Sequence, residues 1–489
     1  MGRNHHCLTM HFPFPRLLTM FLLGGTLGAS LAAAPASATS VAPSNDTGME
    51  AIPFRKLGKI VPRSAREITS SDWSIGCEVL DRDFASYAAY KSYLGPLGAK
   101  GVRLQAGWAK TEQRPGIYDW KWLDEIIDDA RAQGTQPWVQ LSYGNPAYPG
   151  GGGKSIGDAG PTSPEALAAW DRWATALVRR YRDRVHEWEI WNESDIFTKM
   201  TVEQYVGLFI RTATIVRTEQ PDARVYALSL ARRADYARDF LTAVAAQGKL
   251  GLIDAITFHG YPHNPDDLRT YEELRAVVAA FPRKIELRQG ENGAPSSKTT
   301  GALGGYDWNE TKQAKWDLRR MLAHHGHGVP MNVFTLSDFY YPNGLNAKGL
   351  LRINPDLSVV GPKPAYFAVQ TVFAIFDHSL VLAPTKTVTA RTSEQLAAYV
   401  YEHTGTRRHF ATLWFSGAPP VESHCFQPVD FVITGAAFTD PVYVDLRTGE
   451  VYEIPACNWS PRSGACEFRG IPLYDSPVLV ASRADLRIQ

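Results

Sequence analysis

The chain has 489 residues, of which 44% are hydrophobic and 21% are charged, with 51 Lys and Arg against 50 Asp and Glu. This length exceeds that of one typical core, and the composition is that of a globular protein. Because the charges are mixed along the chain without a basic block, neither a nucleic acid nor an anionic membrane surface is predicted as a partner.

The first 38 residues are organised like a secretory signal peptide. Arg3 and Arg16 precede an apolar run from Leu17 to about Ala34, and Ala36-Ser37-Ala38 fits cleavage after small residues. A retained membrane anchor is the alternative, which the glycine and alanine content of the run disfavours. Residues 39–58 are predicted to be a flexible leader. The mature protein is therefore expected to be secreted or periplasmic, without membrane contact after cleavage.

Export would place the remaining cysteines in an oxidising compartment. Cys457 and Cys466 flank a short, turn-like stretch and are the predicted disulfide, whereas Cys77 is expected to be a buried thiol. Since no Cys-x-x-Cys spacing and no nucleotide-binding motif occurs, neither a metal nor a cofactor is predicted.

Eight alternations of a strand and a helix are predicted next. The predicted strands, short and mostly apolar, span residues 72–78, 101–105, 136–143, 185–191, 224–230, 255–259, 285–289 and 331–336. The predicted helices span residues 87–94, 120–133, 164–181, 202–219, 236–247, 268–281, 309–324 and 364–376. Apolar strands of this kind are expected in a parallel sheet covered on both faces. The α/β alternation therefore predicts a (β/α)8 TIM barrel over residues 59–379.

The pattern changes near Leu380, after which no long helix is predicted. Short β-type runs recur at residues 397–401, 409–415, 429–434, 442–445, 451–454 and 478–481, with turn signals between them. They predict a C-terminal antiparallel β-sandwich accessory domain over residues 380–489, to which residues 59–70 are a candidate additional strand.

Two glutamates follow predicted barrel strands. Glu193 comes after the fourth strand and Glu291 after the seventh, and catalytic groups of barrels lie at these strand ends. Strands three apart would hold the two carboxyl groups across the mouth, and a separation of about 5–5.5 Å is that of retaining glycoside hydrolases. The alternative for Glu193 is a surface carboxylate that caps a helix. Glu189, inside the same strand, is expected to be structural or to face outward, and projection into the barrel is the alternative.

The endings Trp191-Asn192-Glu193 and Glu291-Asn292-Gly293 resemble glycoside hydrolase clan A. The order and spacing of the supporting residues is most similar to family 39, the β-xylosidase and α-iduronidase group, over about residues 70–380. The resemblance implies that Glu193 is the general acid/base and Glu291 the nucleophile. It implies no cofactor.

The resemblance also implies roles for four neighbouring residues. Asn192 would bind the sugar 2-hydroxyl, Arg103 would keep the nucleophile ionised, and His259 with Tyr261 would match a His-x-Tyr element in which the tyrosine donates to the nucleophile. The alternative for Arg103 is that it pairs with a core acid. The alternative for His259 is that it is a core histidine whose hydrogen bonds are satisfied within the protein. The tryptophan that the clan often has after strand eight is missing from the segment 337–341, so no sugar platform is assigned there.

Further candidates for sugar contacts lie at strand ends, namely Trp108, Tyr143, Asn145 and Asp338. Arg232 and Arg233 follow the fifth strand, where they would clamp a carboxylated sugar or else form salt bridges with acids such as Asp235.

These observations predict a secreted retaining glycoside hydrolase that acts on an oligosaccharide or polysaccharide. By family analogy, exo-action of the β-xylosidase type is expected. An endo-glycanase or a uronic-acid-specific glycosidase of the same clan is the enzymatic alternative, and a catalytically silent carbohydrate-binding protein is the non-enzymatic one. The sequence predicts no oligomeric state.

Overall fold

The protein is described by a computed structural model that covers residues 51–196 and 200–489. The predicted signal peptide and most of the predicted leader lie outside these residues. The end of the leader differs from the expectation, because strand β1 (Lys56–Lys59) pairs antiparallel with residues 450–452 of the C-terminal sheet. Backbone pairing and an ion pair of 2.6 Å between Lys56 and Glu450 hold this segment.

Eight parallel strands form a closed barrel, as the sequence predicts. They are β2 (Trp73–Gly76), β3 (Gly101–Gln105), β4 (Gln136–Leu141), β5 (Glu187–Ile190), β6 (Arg224–Leu230), β7 (Ala255–His259), β8 (Glu286–Asn292) and β9 (Met331–Val333). The barrel closes where β2 pairs with β9, with Ile75 opposite Val333. All eight strands therefore point their carboxyl ends to one face, where catalytic groups of such barrels lie.

Ten α-helices surround or connect the strands in the described residues. They are α1 (Tyr87–Tyr90), α2 (Leu94–Leu97), α3 (Trp108–Thr111), α4 (Lys121–Ala132), α5 (Pro164–Tyr181), α6 (Val202–Glu219), α7 (Ala234–Ala246), α8 (Arg269–Ala279), α9 (Glu310–His325) and α10 (Pro364–Ile375). The predicted helix 87–94 is split into α1, a 3-10 turn and α2. None of the described helices is long and apolar enough to cross a membrane.

The sequence contains the signals that start the long helices. Ser163 caps α5 by accepting a hydrogen bond from the Ala166 N–H at 3.1 Å, with Pro164 in the first turn. Thr201 and Gln204 form a reciprocal capping box on α6. Such caps satisfy backbone N–H groups that have no partner within the helix.

Two hairpins that the sequence did not predict follow the last barrel strand. The first consists of β10 (Phe339–Tyr341) and β11 (Gly344–Asn346), and the second of β12 (Leu351–Ile353) and β13 (Val359–Pro362). The predicted eighth strand accordingly ends at Val333 instead of Leu336.

The C-terminal region is an antiparallel β-sandwich, as predicted. Its strands are β14 (Leu380–Leu382), β15 (Thr387–Arg391), β16 (Leu396–His403), β17 (His409–Phe415), β18 (Gln427–Thr434), β19 (Pro441–Asp445), β20 (Glu450–Glu453), β21 (Trp459–Arg462), β22 (Ala465–Leu473) and β23 (Val478–Ser482). One sheet has the order β1-β20-β19-β23-β17-β16-β14 and the other β15-β18-β22-β21. A shared core that includes Leu413, Phe431 and Phe468 joins their faces.

The predicted disulfide is wrong, because all four cysteines of the described residues are free thiols. The hairpin β21–β22 places Pro461 opposite Cys466. Cys457 lies outside this hairpin, in the 3-10 turn Ala456–Asn458 that precedes β21. Cys466 is buried in the sandwich core, whereas Cys457 is exposed.

The sandwich supports the barrel through α9. Lys315, fully buried on this helix, donates to the carbonyl oxygens of Val421 (2.8 Å) and Ser423 (2.6 Å) and pairs with Asp475. Arg319, one turn later, donates at 2.8 Å through Nε to Asp266 in the loop after β7. These contacts fix a loop that borders the mouth of the barrel.

Candidate active site

Glu193 and Glu291 lie together at the carboxyl ends of the barrel strands. One carboxylate oxygen of each, together with His259 Nδ1, lies within 4.8 Å of the others. Both glutamates line a cleft of about 970 Å³, a size suited to a small-molecule or saccharide ligand. The structure thus brings together the two carboxylates that the sequence predicted as a pair.

The backbone at the end of β5 is bent into a conformation that non-glycine residues rarely adopt. Trp191 and Glu193 have φ values of 67° and 49°. The Glu193 N–H donates to the Ser229 carbonyl oxygen at 2.9 Å. Asp195, two residues later, accepts from the N–H groups of Ala231 (2.8 Å) and Arg232 (3.0 Å). Strain of this kind persists where surrounding contacts over-determine it, and here it fixes the carboxylate at the cleft.

Close backbone packing fixes Glu291. A side chain at Gly293 would collide with the Phe334 carbonyl oxygen, so only glycine lets the end of β8 approach the end of β9. The Phe334 N–H in turn donates to the Asn292 carbonyl oxygen at 2.6 Å. This explains why a glycine stands two residues after Glu291.

His259 connects the two glutamates. Its Nδ1 lies 2.9 Å from Glu193 Oε1 and 3.2 Å from Glu291 Oε2, and its Nε2 lies 2.9 Å from Ser229 Oγ. The Ser229 hydroxyl donates to Asn192 at 3.1 Å, so Nε2 carries a proton that it donates to Ser229. Burial lowers the pKa of His259, but the charges of Glu291 and Glu193 outweigh it, and the pKa is raised above its ordinary value. The ring is thus a shared donor between the carboxylates.

Arg103 holds the polar centre of the barrel. Its buried guanidinium donates to Glu291 (3.1 Å), Glu189 (2.8 Å), Glu78 (3.0 Å) and Asn192 (3.0 Å). Arg103 therefore pairs with the core acid Glu189 and with Glu291 at the cleft at the same time. The sequence analysis had treated these two pairings as alternatives.

The pKa values of the two glutamates are shifted in opposite directions. Burial raises the pKa of Glu193, the hydrogen bond from His259 opposes this, and the charge of Glu291 reinforces it. Burial also acts to raise the pKa of Glu291, but the charges of His259 and Arg103 and a 3.0 Å bond from the Tyr261 hydroxyl outweigh it, so this pKa is lowered. One carboxyl group is thus suited to hold a proton and the other to stay ionised.

Asn192 has its amide oxygen fully engaged. Oδ1 accepts from Arg103 at 3.0 Å, from Ser229 at 3.1 Å and from Gln140 at 3.3 Å. No described residue accepts from its Nδ2, which leaves this N–H group to donate to a ligand.

Glu189 faces the barrel interior, so the outward-facing alternative was wrong. Its Oε2 accepts from Arg103 and, at 2.9 Å, from Gln140, and Oε1 accepts from Thr257. With every oxygen satisfied, Glu189 is a structural anion that orients Arg103.

Three predicted sugar contacts have other partners inside the protein. Trp108 is fully buried, donates to Glu112 at 2.6 Å and stacks on Trp173. Asn145 donates to the Glu112 carbonyl oxygen at 2.8 Å. Asp338 pairs with Lys363 at 2.7 Å, and its pKa is raised by burial to about 6. None of the three lines the cleft, and they stabilise the loops behind it.

Tyr143 occupies an intermediate place. It is buried, with the centroids of its ring and the Trp191 ring 5.7 Å apart in an edge-to-face contact and the Arg82 guanidinium 4.9 Å from its own centroid. It supports the residue that precedes the Asn192-Glu193 pair, and no described contact carries it to either glutamate.

The sequence prediction missed Glu78 and Lys348. Glu78 follows β2, and burial raises its pKa to about 7 although Arg103 opposes this. Its position at a strand end was the available signal. Lys348 lies in the segment between the two unpredicted hairpins and lines the cleft, where no strand count could have placed it.

A metal is not required to explain the donor set. Among the described residues, one group of side chains is close enough together to bind a metal ion, and it consists of Glu193, His259 and Glu291. Their spacing is accounted for by the hydrogen bonds from His259, Arg103 and Tyr261.

Comparisons with known proteins agree with this architecture. Neither a protein-family model nor a curated protein matches the chain. Among solved structures, a family 39 glycoside hydrolase from Bacteroides cellulosilyticus WH2 is 18% identical with a TM-score of 0.62, over 84% of this chain and 81% of that chain. A monomeric β-xylosidase from Caulobacter crescentus CB15 is 17% identical with a TM-score of 0.55, over 87% and 97% of the two chains.

A family 30 endoxylanase from Clostridium papyrosolvens C71 is 13% identical with a TM-score of 0.51, over 88% of this chain and 97% of that chain. The chain therefore shares its fold, a TIM barrel with a β-sandwich, with glycoside hydrolases of families 39 and 30. At these identities the likeness is one of fold, and the chemistry has to be argued from the site.

Proposed function

We propose that this protein is a glycoside hydrolase that cleaves O-glycosidic bonds with retention of configuration. The observation that carries the proposal is the carboxyl pair, whose nearest oxygens lie within 4.8 Å of each other. Retaining enzymes place the two carboxyl groups about 5–5.5 Å apart, whereas inverting enzymes leave about 6.5–9.5 Å for a water molecule.

The opposite pKa shifts support one assignment of roles. Glu291, held ionised by Arg103, His259 and Tyr261, attacks the anomeric carbon while Glu193 gives its proton to the leaving oxygen. The glycosyl ester removes the charge of Glu291, which lowers the pKa of Glu193 because that charge had raised it. Glu193 then takes a proton from a water molecule whose oxygen attacks the anomeric carbon. The bond between this carbon and Glu291 breaks, which releases the sugar and regenerates the Glu291 carboxylate.

Asn192 and Arg103 complete the proposed machinery. The free Nδ2 of Asn192 donates to the oxygen of the sugar 2-hydroxyl, and hydrogen bonds to this hydroxyl contribute to stabilising the transition state. Arg103 fixes the orientation of both Asn192 and Glu291 and thereby positions the nucleophile.

We propose a secreted or periplasmic enzyme that removes terminal sugars from oligosaccharides, as its N-terminus and its resemblance to β-xylosidases suggest. Secretion is checked by fractionation and N-terminal sequencing, and a start far from residue 39 would contradict it. Product lengths from a labelled oligosaccharide separate exo-action, which releases single sugars, from endo-action, which releases internal fragments.

Aryl glycosides of several sugars, each as both anomers, test the reaction. We expect Glu291→Ala and Glu193→Ala each to lower the kcat of the best substrate by at least about 10³-fold. Azide should restore turnover of the Glu193 variant and give a glycosyl azide of retained configuration. Glu286→Gln, at the opposite end of the same strand as Glu291, is the matched control and should behave like wild type. A Glu291→Ala variant with wild-type activity would refute the nucleophile assignment.

A further inference from the structure

Lys348 presents a buried ammonium group to the cleft, without a hydrogen-bond partner among the described residues. Its side chain lines the cleft and the residue is only 1% exposed. Among the described residues, no atom forms a hydrogen bond with its Nζ. This nitrogen lies 5.5 Å from the ring centroid of Tyr261, whose hydroxyl donates to Glu291. The ammonium is therefore beside the place where a sugar attacked by Glu291 would lie.

Backbone contacts, and no charge pairing, hold Lys348 there. Its carbonyl oxygen accepts from the Thr335 N–H at 3.4 Å and from Gln313 Nε2 at 3.3 Å. Its own N–H donates to Asn346 Oδ1 at 3.2 Å. The ends of β9, β11 and α9 thus determine the position of Lys348 through its backbone. None of these contacts involves its ammonium group.

Glu291 does not satisfy this lysine. Oε1 of Glu291 is engaged by Arg103, and Oε2 by Tyr261 and His259. The charge of Glu291 acts to raise the pKa of Lys348, but no hydrogen bond joins the two groups. A buried cation without a hydrogen-bond acceptor is costly, so its retention at a cleft indicates that a ligand supplies the missing anion. Burial lowers the pKa of Lys348 to about 8, which leaves most of the ammonium protonated at neutral pH.

The loop after β6 adds a second available cation to the cleft. Arg232 is exposed, lines the cleft and has no side-chain partner among the described residues, whereas the neighbouring Arg233 is bound to Asp235 at 2.6 Å. The acidic Asp267 on the cleft wall is already paired with Arg269.

We propose that Lys348 binds a carboxylate carried by the sugar next to Glu291, so that the substrate is an acidic saccharide such as a hexuronide. This inference rests on the proposed glycosidase function and specifies the substrate. A xyloside bears only hydrogen at the ring carbon where a glucoside bears a neutral hydroxymethyl group and a glucuronide bears a carboxylate. Lys348 therefore distinguishes sugars that are otherwise identical around the ring.

The test compares kcat/KM for 4-nitrophenyl glucuronide, glucoside and xyloside, and for the galacturonide and galactoside pair, in both anomers. The variants are Lys348→Met, which keeps the side chain long and apolar, and Lys348→Arg, which keeps the charge. Lys298→Met, which removes an exposed lysine on the loop after β8, is the control. Circular dichroism and thermal melting establish that each variant is folded.

We expect the wild type to prefer the uronide over its neutral counterpart. Lys348→Met should reduce the uronide-to-neutral ratio of kcat/KM by about 10- to 150-fold, the effect of losing one charge-assisted hydrogen bond. Lys348→Arg should restore part of the ratio, and Lys298→Met should leave it unchanged. Calorimetry on Glu291→Gln should show glucuronate binding that Lys348→Met abolishes.

Three results would overturn the inference. An equal loss for uronide and neutral glycosides would make Lys348 a structural residue or a positioning residue for Glu291. Preference for a 6-sulfated glucoside over the glucuronide would assign the cation to another anion. Hydrolysis of neutral glycosides alone would refute the acidic substrate while the glycosidase proposal stands, whereas no hydrolysis of any glycoside would refute the proposed function itself.

Discussion

Replacing Arg103 by lysine separates geometry from charge at the centre of the site. Arg103 is fully buried, and its guanidinium makes five side-chain contacts, to Glu78, Glu189, Glu291, Asn192 and Ser229. A lysine has three N–H donors on one nitrogen, so Arg103→Lys loses at least two of the five bonds. At about 1.5–3 kcal/mol for each bond to a charged group, the loss is about 3–6 kcal/mol, shared between folding and catalysis.

The direction of the pH effect follows from the same contacts. Arg103 lowers the pKa of Glu291, so weakening this contact raises that pKa and moves the acid limb of the kcat/KM profile to higher pH. Chemical denaturation measures the stability share, and a pH profile on the best aryl glycoside measures the catalytic share.

Arg288→Lys is the matched control. Arg288 is a largely buried arginine near the amino end of β8, 3.3 Å from Glu187 and stacked over Trp138 at 4.4 Å. This variant should lose stability without a change in the acid limb. If Arg103→Lys showed the wild-type acid limb and kcat/KM within about threefold of wild type, Arg103 would not be the group that keeps Glu291 ionised.

Three further predictions address the neighbours of the pair. His259 lowers the pKa values of both Glu193 and Glu291. The His259→Gln substitution should therefore raise both pKa values and shift the whole bell-shaped kcat/KM profile to higher pH. A basic limb at the wild-type pH would contradict the contact with Glu193. Burial lowers the pKa of Lys348 to about 8. At pH values above 8, KM for a uronide should therefore increase while KM for the neutral glucoside stays constant. An equal increase for both substrates would exclude a charge effect. Trp108→Ala should cost about 3–5 kcal/mol of unfolding free energy with KM unchanged, since the ring packs behind the cleft; a raised KM without lost stability would restore Trp108 as a sugar contact.

The barrel and its carboxyl pair could be predicted because they depend on local periodicity and order. Apolar strands alternating with capped helices define the eight units, and the position of Glu193 and Glu291 at strand ends follows from counting. Arg103, Gln140 and Glu189 also interrupt otherwise apolar strands, which indicates a polar barrel interior.

Long-range packing explains what the sequence did not reveal. Trp108 follows β3 as a sugar-binding residue would, yet the turn of α3 directs it into a cluster with Trp170 and Trp173. Lys348 reaches the cleft only because two hairpins fold back between β9 and α10. The strand β22 contains Gly470 and Pro472, which disfavour strands by local propensity, and its pairing with β18 overrides that preference.

Trapping the covalent intermediate tests the central claim most directly. The enzyme is incubated with a 2-deoxy-2-fluoro glycoside of its best substrate sugar that carries a good leaving group, and the intact mass and the digested peptides are measured. The account predicts one added fluorosugar per chain, attached to Glu291, together with loss of activity. The Glu291→Gln variant should take up no fluorosugar. A label on another residue, or a first product of inverted anomeric configuration by NMR, would contradict a retaining mechanism that uses this pair.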